Sequence, residues 1–216
     1  MTIKGMIFDL DGTLLDTIED LRDSVNLAMD RFGHARYTSA DIKQKIGDGM
    51  KVLIQRCLDE EASEALVDEV IQVFLQDYNR RQFDKTAPYD GILDMLHTLN
   101  AKGIQVGVIS NKQNANTQSI VAHYFKEIAF TFVSGEIQGI DRKPDPTLTL
   151  RCVDAMRLKS DEILYVGDTK VDMLTGHNAG LKTVGVTWGF RDRQELIDHS
   201  ADFLVDHPGE LLKFII

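Results

Sequence analysis

The chain has 216 residues, 43% of them apolar and 27% charged, and a formal net charge of −10. That length carries a sizeable core, enough for one main domain and a smaller one. The acidic balance argues against nucleic acid, whose phosphates reward basic surfaces, and no run approaches the ~20 apolar residues of a membrane span.

The chain opens on Met6-Ile7-Phe8-Asp9-Leu10-Asp11-Gly12-Thr13. A short apolar run ended by glycine reads as a buried parallel strand. Two carboxylates one residue apart repel each other unless a cation or a shared proton compensates, so this strand tip is expected to carry a metal ion, a nucleophile or both. The periodicity then becomes helical. Leu21, Val25, Ala28, Met29 and Phe32 recur at spacings of three and four, and Gly33 reads as a C-terminal stop. Thr38-Ser39-Ala40-Asp41 reads as a helix N-terminus. Further helical stripes run through Val52, Leu53 and Cys57, and through Leu66, Val70, Val73, Phe74 and Leu75. No strand pattern interrupts residues 15–87, which predicts an all-helical unit inserted after the first strand, with Pro88-Tyr89-Asp90-Gly91 as the return hinge.

From residue 92 helices and strands alternate. A helix over Ile92–Leu99 precedes a strand over Ile104–Ile109, which runs into Ser110-Asn111-Lys112. A helix near Thr117–Phe125 and a short strand over Phe130–Val133 lead to the stiff basic turn Arg142-Lys143-Pro144-Asp145-Pro146. A helix over Leu148–Met156 and a strand over Ile163–Val166 end in Gly167-Asp168-Thr169-Lys170-Val171-Asp172. A helix near Met173–Ala179 and strands over Lys182–Val186 and Phe203–Val205 complete the series. This alternation predicts an α/β fold, a Rossmann-like parallel sheet with helices on both faces. Residues 1–14 and 88–216 form the catalytic core in this reading, and residues 15–87 a small helical cap. In such sheets ligands bind beyond the carboxyl ends of the strands, where these acids, hydroxyls and lysine gather.

Four segments match, in order, the four motifs of haloacid-dehalogenase-superfamily phosphatases: Asp9-x-Asp11-Gly12-Thr13, Ser110, Lys143-Pro144 and Gly167-Asp168-x-x-x-Asp172. The chain resembles that superfamily over essentially its whole length. Within it the chain is most similar to the phosphoglycolate phosphatase-like branch, through Lys45–Ile54 and Val186–Phe190. The resemblance implies a helical cap between the first two motifs, with Asp9 as nucleophile and Asp11 as general acid and base. It also implies Mg²⁺ held by Asp9, Asp168 and the backbone carbonyl of Asp11, a metal that suits an all-oxygen ligand set. Asp172 joins the metal set through water or orients Lys143. Ser110 and Lys143 would hold the transferring phosphoryl group, with Asn111 and Thr13 as further contributors to substrate binding, Thr13 bonding either backbone or phosphate.

In the cap, Gly47-Asp48-Gly49 is expected to lean over the substrate, although an acid at Asp48 sits poorly beside an anionic ester. The expected activity is Mg²⁺-dependent hydrolysis of a small phosphorylated metabolite, phosphoglycolate first. A pyrophosphatase or nucleotidase on the same scaffold is the near alternative, and a catalytically silent metabolite-binding protein the alternative from another class. A mutase is disfavoured by Leu21, where capped sugar-phosphate mutases carry histidine, and a dehalogenase by the presence of Asp11. The six histidines show no ligand spacing and read as surface or loop residues, and Trp188 and Phe190 read as packing residues. Cys57 and Cys152 lie in apolar-periodic stretches as core thiols, and no basic-then-apolar leader precedes Asp9, so a cytoplasmic monomer or homodimer is expected.

Overall fold

The computed structural model describes residues 2–59 and 61–215. Among the described residues, eight strands and nine α-helices follow in the order β1 (Gly5–Phe8), β2 (Leu15–Asp16), α1 (Ile18–Arg31), α2 (Ser39–Lys45), α3 (Met50–Cys57), α4 (Glu64–Arg81), β3 (Ala87–Pro88), α5 (Ile92–Ala101), β4 (Gln105–Gln113), α6 (Asn114–Tyr124), β5 (Phe132–Glu136), α7 (Thr147–Met156), β6 (Ile163–Gly167), α8 (Lys170–Asn178), β7 (Lys182–Val186), α9 (Arg193–Asp198) and β8 (Phe203–Val205). Six strands form one sheet in the order β5-β4-β1-β6-β7-β8, with every neighbouring pair parallel. The first strand is therefore central, flanked by β4 and β6.

Alternation along β1 sends its side chains to two separate cores. Met6 and Phe8 join Leu96, Val106, Val166 and Val184 on one face. Ile7 joins Ile109, Cys152, Tyr165 and Leu181 on the other. A strand buried on both faces has no polar side to show, which is why its sequence reads as an unbroken apolar run. Helices α1–α4 enclose a third core built from Val25, Met29, Ile42, Ile54, Val70 and Phe74. Thr38 and Asp41 form a reciprocal capping box at the start of α2, and Gly33 takes a φ of 75° just beyond α1. Cys57 and Cys152 are free, buried thiols.

Several elements depart from the expected bounds, among them β5, which covers Phe132–Glu136 and not Phe130–Val133, and α8, which starts at Lys170 ahead of the expected Met173. Residues 15–87 are not wholly helical at their edges, because Leu15–Asp16 pairs antiparallel with Ala87–Pro88. Two residues are too few to show an alternation, and the partner lies some seventy residues away. The second large strand runs on past Ile109 to Gln113, because the segment after an irregularity at Ile109–Gln113 still pairs with β5. Helix α6 accordingly starts at Asn114, ahead of the expected Thr117.

The return of the chain from α4 to β3 is secured by Asp20, which is fully buried in α1. Its carboxylate accepts the backbone N–H groups of Lys85 (3.0 Å) and Thr86 (2.9 Å) and the Thr86 hydroxyl (2.8 Å). Asp20→Ala would strand those three donors, so it is expected to destabilise the protein by about 2–3 kcal/mol in denaturant unfolding, with Asp20→Asn costing less. A loss under about 0.5 kcal/mol for Asp20→Ala would show that solvent satisfies those donors instead.

Candidate active site

The sheet order brings three strand tips together. Asp9 follows β1, Ser110-Asn111-Lys112 lies on the last stretch of β4, and Asp168 follows β6. The backbone N–H of Asp9 donates to the Val166 carbonyl at 2.9 Å, which keeps Asp9 alongside β6. The chain then turns sharply, with the Leu10 carbonyl accepting from the N–H groups of Leu14 and Leu15, both at 3.0 Å. Gly12 sits in this turn at φ 85°, and a Cβ there would lie 2.3 Å from an Asp168 carboxylate oxygen. A Cβ on Gly189 would meet the same aspartate at 2.3 Å. Asp168 is thus approached closely by the backbone of two glycines.

Lys143 is at the centre of the site and is buried. Its ammonium meets Asp9 at 2.8 Å, Asp172 at 2.7 Å and the Ile109 carbonyl at 3.2 Å. Asn111 fixes the lysine's backbone from both sides. Its side-chain oxygen accepts the Lys143 N–H at 2.9 Å, and its amide donates to the Lys143 carbonyl at 3.1 Å. Burial opposes the charge on Lys143, but Asp172 and Asp9 outweigh it and hold the ammonium well above its ordinary pKa. Ser110 is also buried, and its hydroxyl accepts the Lys112 N–H at 3.1 Å.

Asp172 has both oxygens engaged. One accepts from Lys143, and the other accepts the Thr169 N–H (3.1 Å) and hydroxyl (2.8 Å) as the capping box of α8. It orients the lysine and caps a helix at once. Asp168 accepts the Thr13 hydroxyl at 3.0 Å and the Phe190 N–H at 2.8 Å. Thr13, fully buried, therefore acts on Asp168, and Trp188 in turn donates its indole N–H to the Thr13 carbonyl at 3.0 Å.

Oxygens of Asp9, Asp168 and Asp172 lie within 4.8 Å of one another, all buried. Three carboxylates here share the single ammonium of Lys143. The shortfall of positive charge shows in the protonation of Asp9 and Asp168. Burial, offset in part by Lys143 and reinforced by Asp172 and Asp168, raises Asp9 well above the carboxylate range. Burial and Asp172 raise Asp168 to about 7. A buried, all-oxygen, charge-deficient cluster fits a hard divalent cation.

Above the strand tips lies a cavity of about 710 Å³, counting its open mouth. Asp9, Asp11, Ser110, Asn111, Lys112 and Lys143 line its floor, and Leu21, Met50, Leu53, Phe74, Leu75 and Tyr78 its helical wall. Gly47 and Gly49 reach the cavity, as the glycines of that loop lead one to expect. Asp48 does not line it: its carboxylate turns to Arg56 at 2.6 Å, so the acid is neutralised away from the ligand space. The loop is tied down by the sheet side. Asn111 donates to the Gly47 carbonyl at 3.0 Å, Arg142 to the Asp48 carbonyl at 2.9 Å, and Arg191 to the carbonyls of Lys43 and Ile46.

Four participants escaped the reading of the sequence. Lys112 lies in a segment already picked out, but a lysine just beyond an apolar run reads as a surface charge. Tyr78 is hidden within the apolar stripe of α4. Phe190 packs as expected against the helical core, yet it also lines the cavity and lends its backbone N–H to Asp168. Arg191 carries no local signal at all.

The raised pKa of Asp168 sets a pH dependence with a definite sign. The fold keeps a proton on this carboxyl up to about pH 7, whereas the unfolded chain releases it near 3.8. Its contribution to stability is therefore fully present below the lower value and is lost as pH rises through the higher. In chelator, the wild-type Tm is expected to fall from about pH 5 to about pH 8 more steeply than that of Asp168→Asn. Excess Mg²⁺ at about pH 8 should restore the wild-type Tm and leave the variant's unchanged. Parallel pH slopes for the two proteins would contradict the assignment.

The sequence profile of the haloacid dehalogenase-like hydrolases matches residues 6–186. The phosphoglycolate phosphatase of Aquifex aeolicus is 30% identical over 218 residues, covering 99% of this chain and 97% of its own. That of Psychrobacter arcticus is 29% identical over 218 residues, covering 98% and 95%. Among solved structures, a Lactobacillus delbrueckii subsp. bulgaricus protein provisionally named a phosphoglycolate phosphatase superposes with a TM-score of 0.94 at 34% identity, covering 100% of this chain and 99% of that one. Its matched profile, full-length relatives and strand-tip acids make this chain a member of the haloacid dehalogenase-like hydrolase family.

Proposed function

We propose that the protein is a divalent-metal-dependent phosphomonoester hydrolase that works through an aspartyl-phosphate on Asp9. The observation that carries this reading is the Asp9 carboxylate at the floor of a cavity, 2.8 Å from a buried ammonium and grouped with two further acids. In the first step Asp9 attacks phosphorus, and the bond to the leaving oxygen breaks as Asp11 gives that oxygen a proton. In the second step Asp11 takes a proton from water as the water's oxygen attacks the phosphoryl-aspartate, releasing phosphate and restoring Asp9. Lys143 and Ser110 neutralise and bind phosphoryl oxygens, while Asn111 keeps Lys143 in place and Thr13 keeps Asp168 in place.

Asp9, Asp168 and the Asp11 carbonyl would hold Mg²⁺, with Asp172 acting through Lys143. The cation would offset the charge of the phosphoryl group. Residues 15–87 act as a cap whose helices wall the cavity and exclude water from the first step, over a catalytic core of residues 1–14 and 88–216. Phosphoglycolate, the ester in the relatives' names, is the first candidate substrate. Pyrophosphate and nucleotides are the alternatives on the same scaffold. The acidic charge balance and the buried free thiols suit a cytoplasmic enzyme of small metabolites.

The test is phosphate release from phosphoglycolate, sugar phosphates, nucleotides and pyrophosphate, with Mg²⁺ and with chelator. One ester should dominate, chelation should silence it, and Asp9→Asn should lower turnover by at least about 1,000-fold while the Tm shows an intact fold. Wild-type turnover in Asp9→Asn would remove the aspartyl-phosphate from the mechanism. Silence across the panel in folded, Mg²⁺-binding protein would favour a binding role.

A further inference from the structure

We infer that Lys112 is the subsite for an anionic end of the leaving group, and so the residue that selects esters carrying a second negative charge close to the phosphoryl group. The inference rests on the phosphatase reading above and narrows its substrate class. The charged side chains that line the cavity are Asp9, Asp11, Lys112 and Lys143. Lys143 has three acceptors for its three N–H groups: Asp9, Asp172 and the Ile109 carbonyl. Lys112 has two partners. It donates to the Tyr78 hydroxyl at 2.9 Å and faces an Asp11 oxygen at 3.0 Å. That Asp11 oxygen is enclosed and, among the described residues, has no well-aligned hydrogen bond. The contact is charge against charge, without the geometry that would lock it.

The surroundings leave few other places for an anion. Leu21, Met50, Leu53, Phe74 and Leu75 make the wall apolar, and an unpaired charge against such a wall is strongly disfavoured. The nearby arginines are already engaged. Arg56 pairs with Asp48, and Arg142 and Arg191 hold the carbonyls of the 43–48 loop. Asp11 and Lys112 also share the floor of the cavity, so the two functions are linked. While Asp11 carries the proton meant for the leaving oxygen it is neutral, so the Lys112 ammonium lacks a counter-charge inside a closed site. An anion two or three bonds from the leaving oxygen takes that place. An uncharged leaving group does not, and the ammonium would stay buried without a partner. Tyr78, on α4, holds the lysine from the helical wall, so this subsite is complete only with the helices in place.

The chemistry fits a short leaving group ending in a carboxylate or in a second phosphoryl group, and three substrates separate these sources: phosphoglycolate, the anhydride pyrophosphate and the uncharged-tail ester ethyl phosphate. Lys112→Met is expected to lower kcat/KM for whichever anionic substrate the wild type prefers by about 100-fold or more, chiefly through KM. On ethyl phosphate the same variant should lose much less, so that the preference for the anionic substrate over ethyl phosphate falls by about 30-fold or more. Lys112→Arg should recover part of the loss. Tyr78→Phe, which keeps the ring, should raise KM for the anionic substrate alone by several-fold. Equal losses on all three substrates would make Lys112 a support for Asp11 and overturn the inference, as would no loss on any. Wild-type enzyme inactive on all three but active on another member of the wider panel would overturn the inference, whereas silence across the whole panel would defeat the phosphatase reading itself.

Discussion

The site is organised around one ammonium group. Lys143 lies where β1, β4 and α8 meet, and each supplies an acceptor: Asp9, the Ile109 carbonyl and Asp172. Without that cation, three carboxylates would face one another behind a sheet that admits little water. Removing one partner from a buried ion pair typically costs about 3–5 kcal/mol, because the other charge is left stranded. The loop that delivers Lys143 is itself held through its backbone by Asn111, so the position of the ammonium does not depend on a flexible side chain alone. One lysine cannot neutralise three acids, and the residual negative charge is of the kind a hard cation would offset.

Topology supplies the rest of the site. A central first strand flanked by the second and fourth sheet strands of the sequence creates a crevice at the tips of β1, β4 and β6, where open parallel sheets bind ligands. The chain leaves this crevice directly after Asp11, builds four helices, and returns to it beside its point of departure. The two-residue ribbon of β2 and β3 and the buried Asp20 fix that exit and return. The helical wall is then held over the crevice by donors from the sheet side, Asn111, Arg142 and Arg191, which bind backbone carbonyls of the 43–48 loop. Backbone acceptors tie the loop's position without constraining its side chains. The wall's chemistry can therefore vary while its placement is kept.

Much of this is legible in the order of residues. Apolar runs ending in acids, a hydroxyl and a basic Pro-bounded turn identify strand tips and their chemistry, because a strand buried on both faces has no other reason to end in charge. The helical block after Thr13 follows from its three-and-four spacing, and the capping box at Thr38 and Asp41 from local hydrogen bonding alone. These features depend on interactions within a few residues, or on the solvent preference of single side chains.

Other parts depend on distant partners. Asp48 looks like an acid aimed at the ligand until Arg56 turns it aside. Thr13 looks like a phosphate contact until its hydroxyl is found on Asp168. Lys112 and Tyr78 come from segments thirty-four residues apart, and only their meeting makes a polar subsite. The sequence by itself determined the sheet, the helical insertion and the acids of the centre, since burial and backbone periodicity act locally. Tertiary structure alone decided which charges neutralise one another and which remain available to a ligand, because Coulomb pairing and desolvation are set by distances through space, not along the chain.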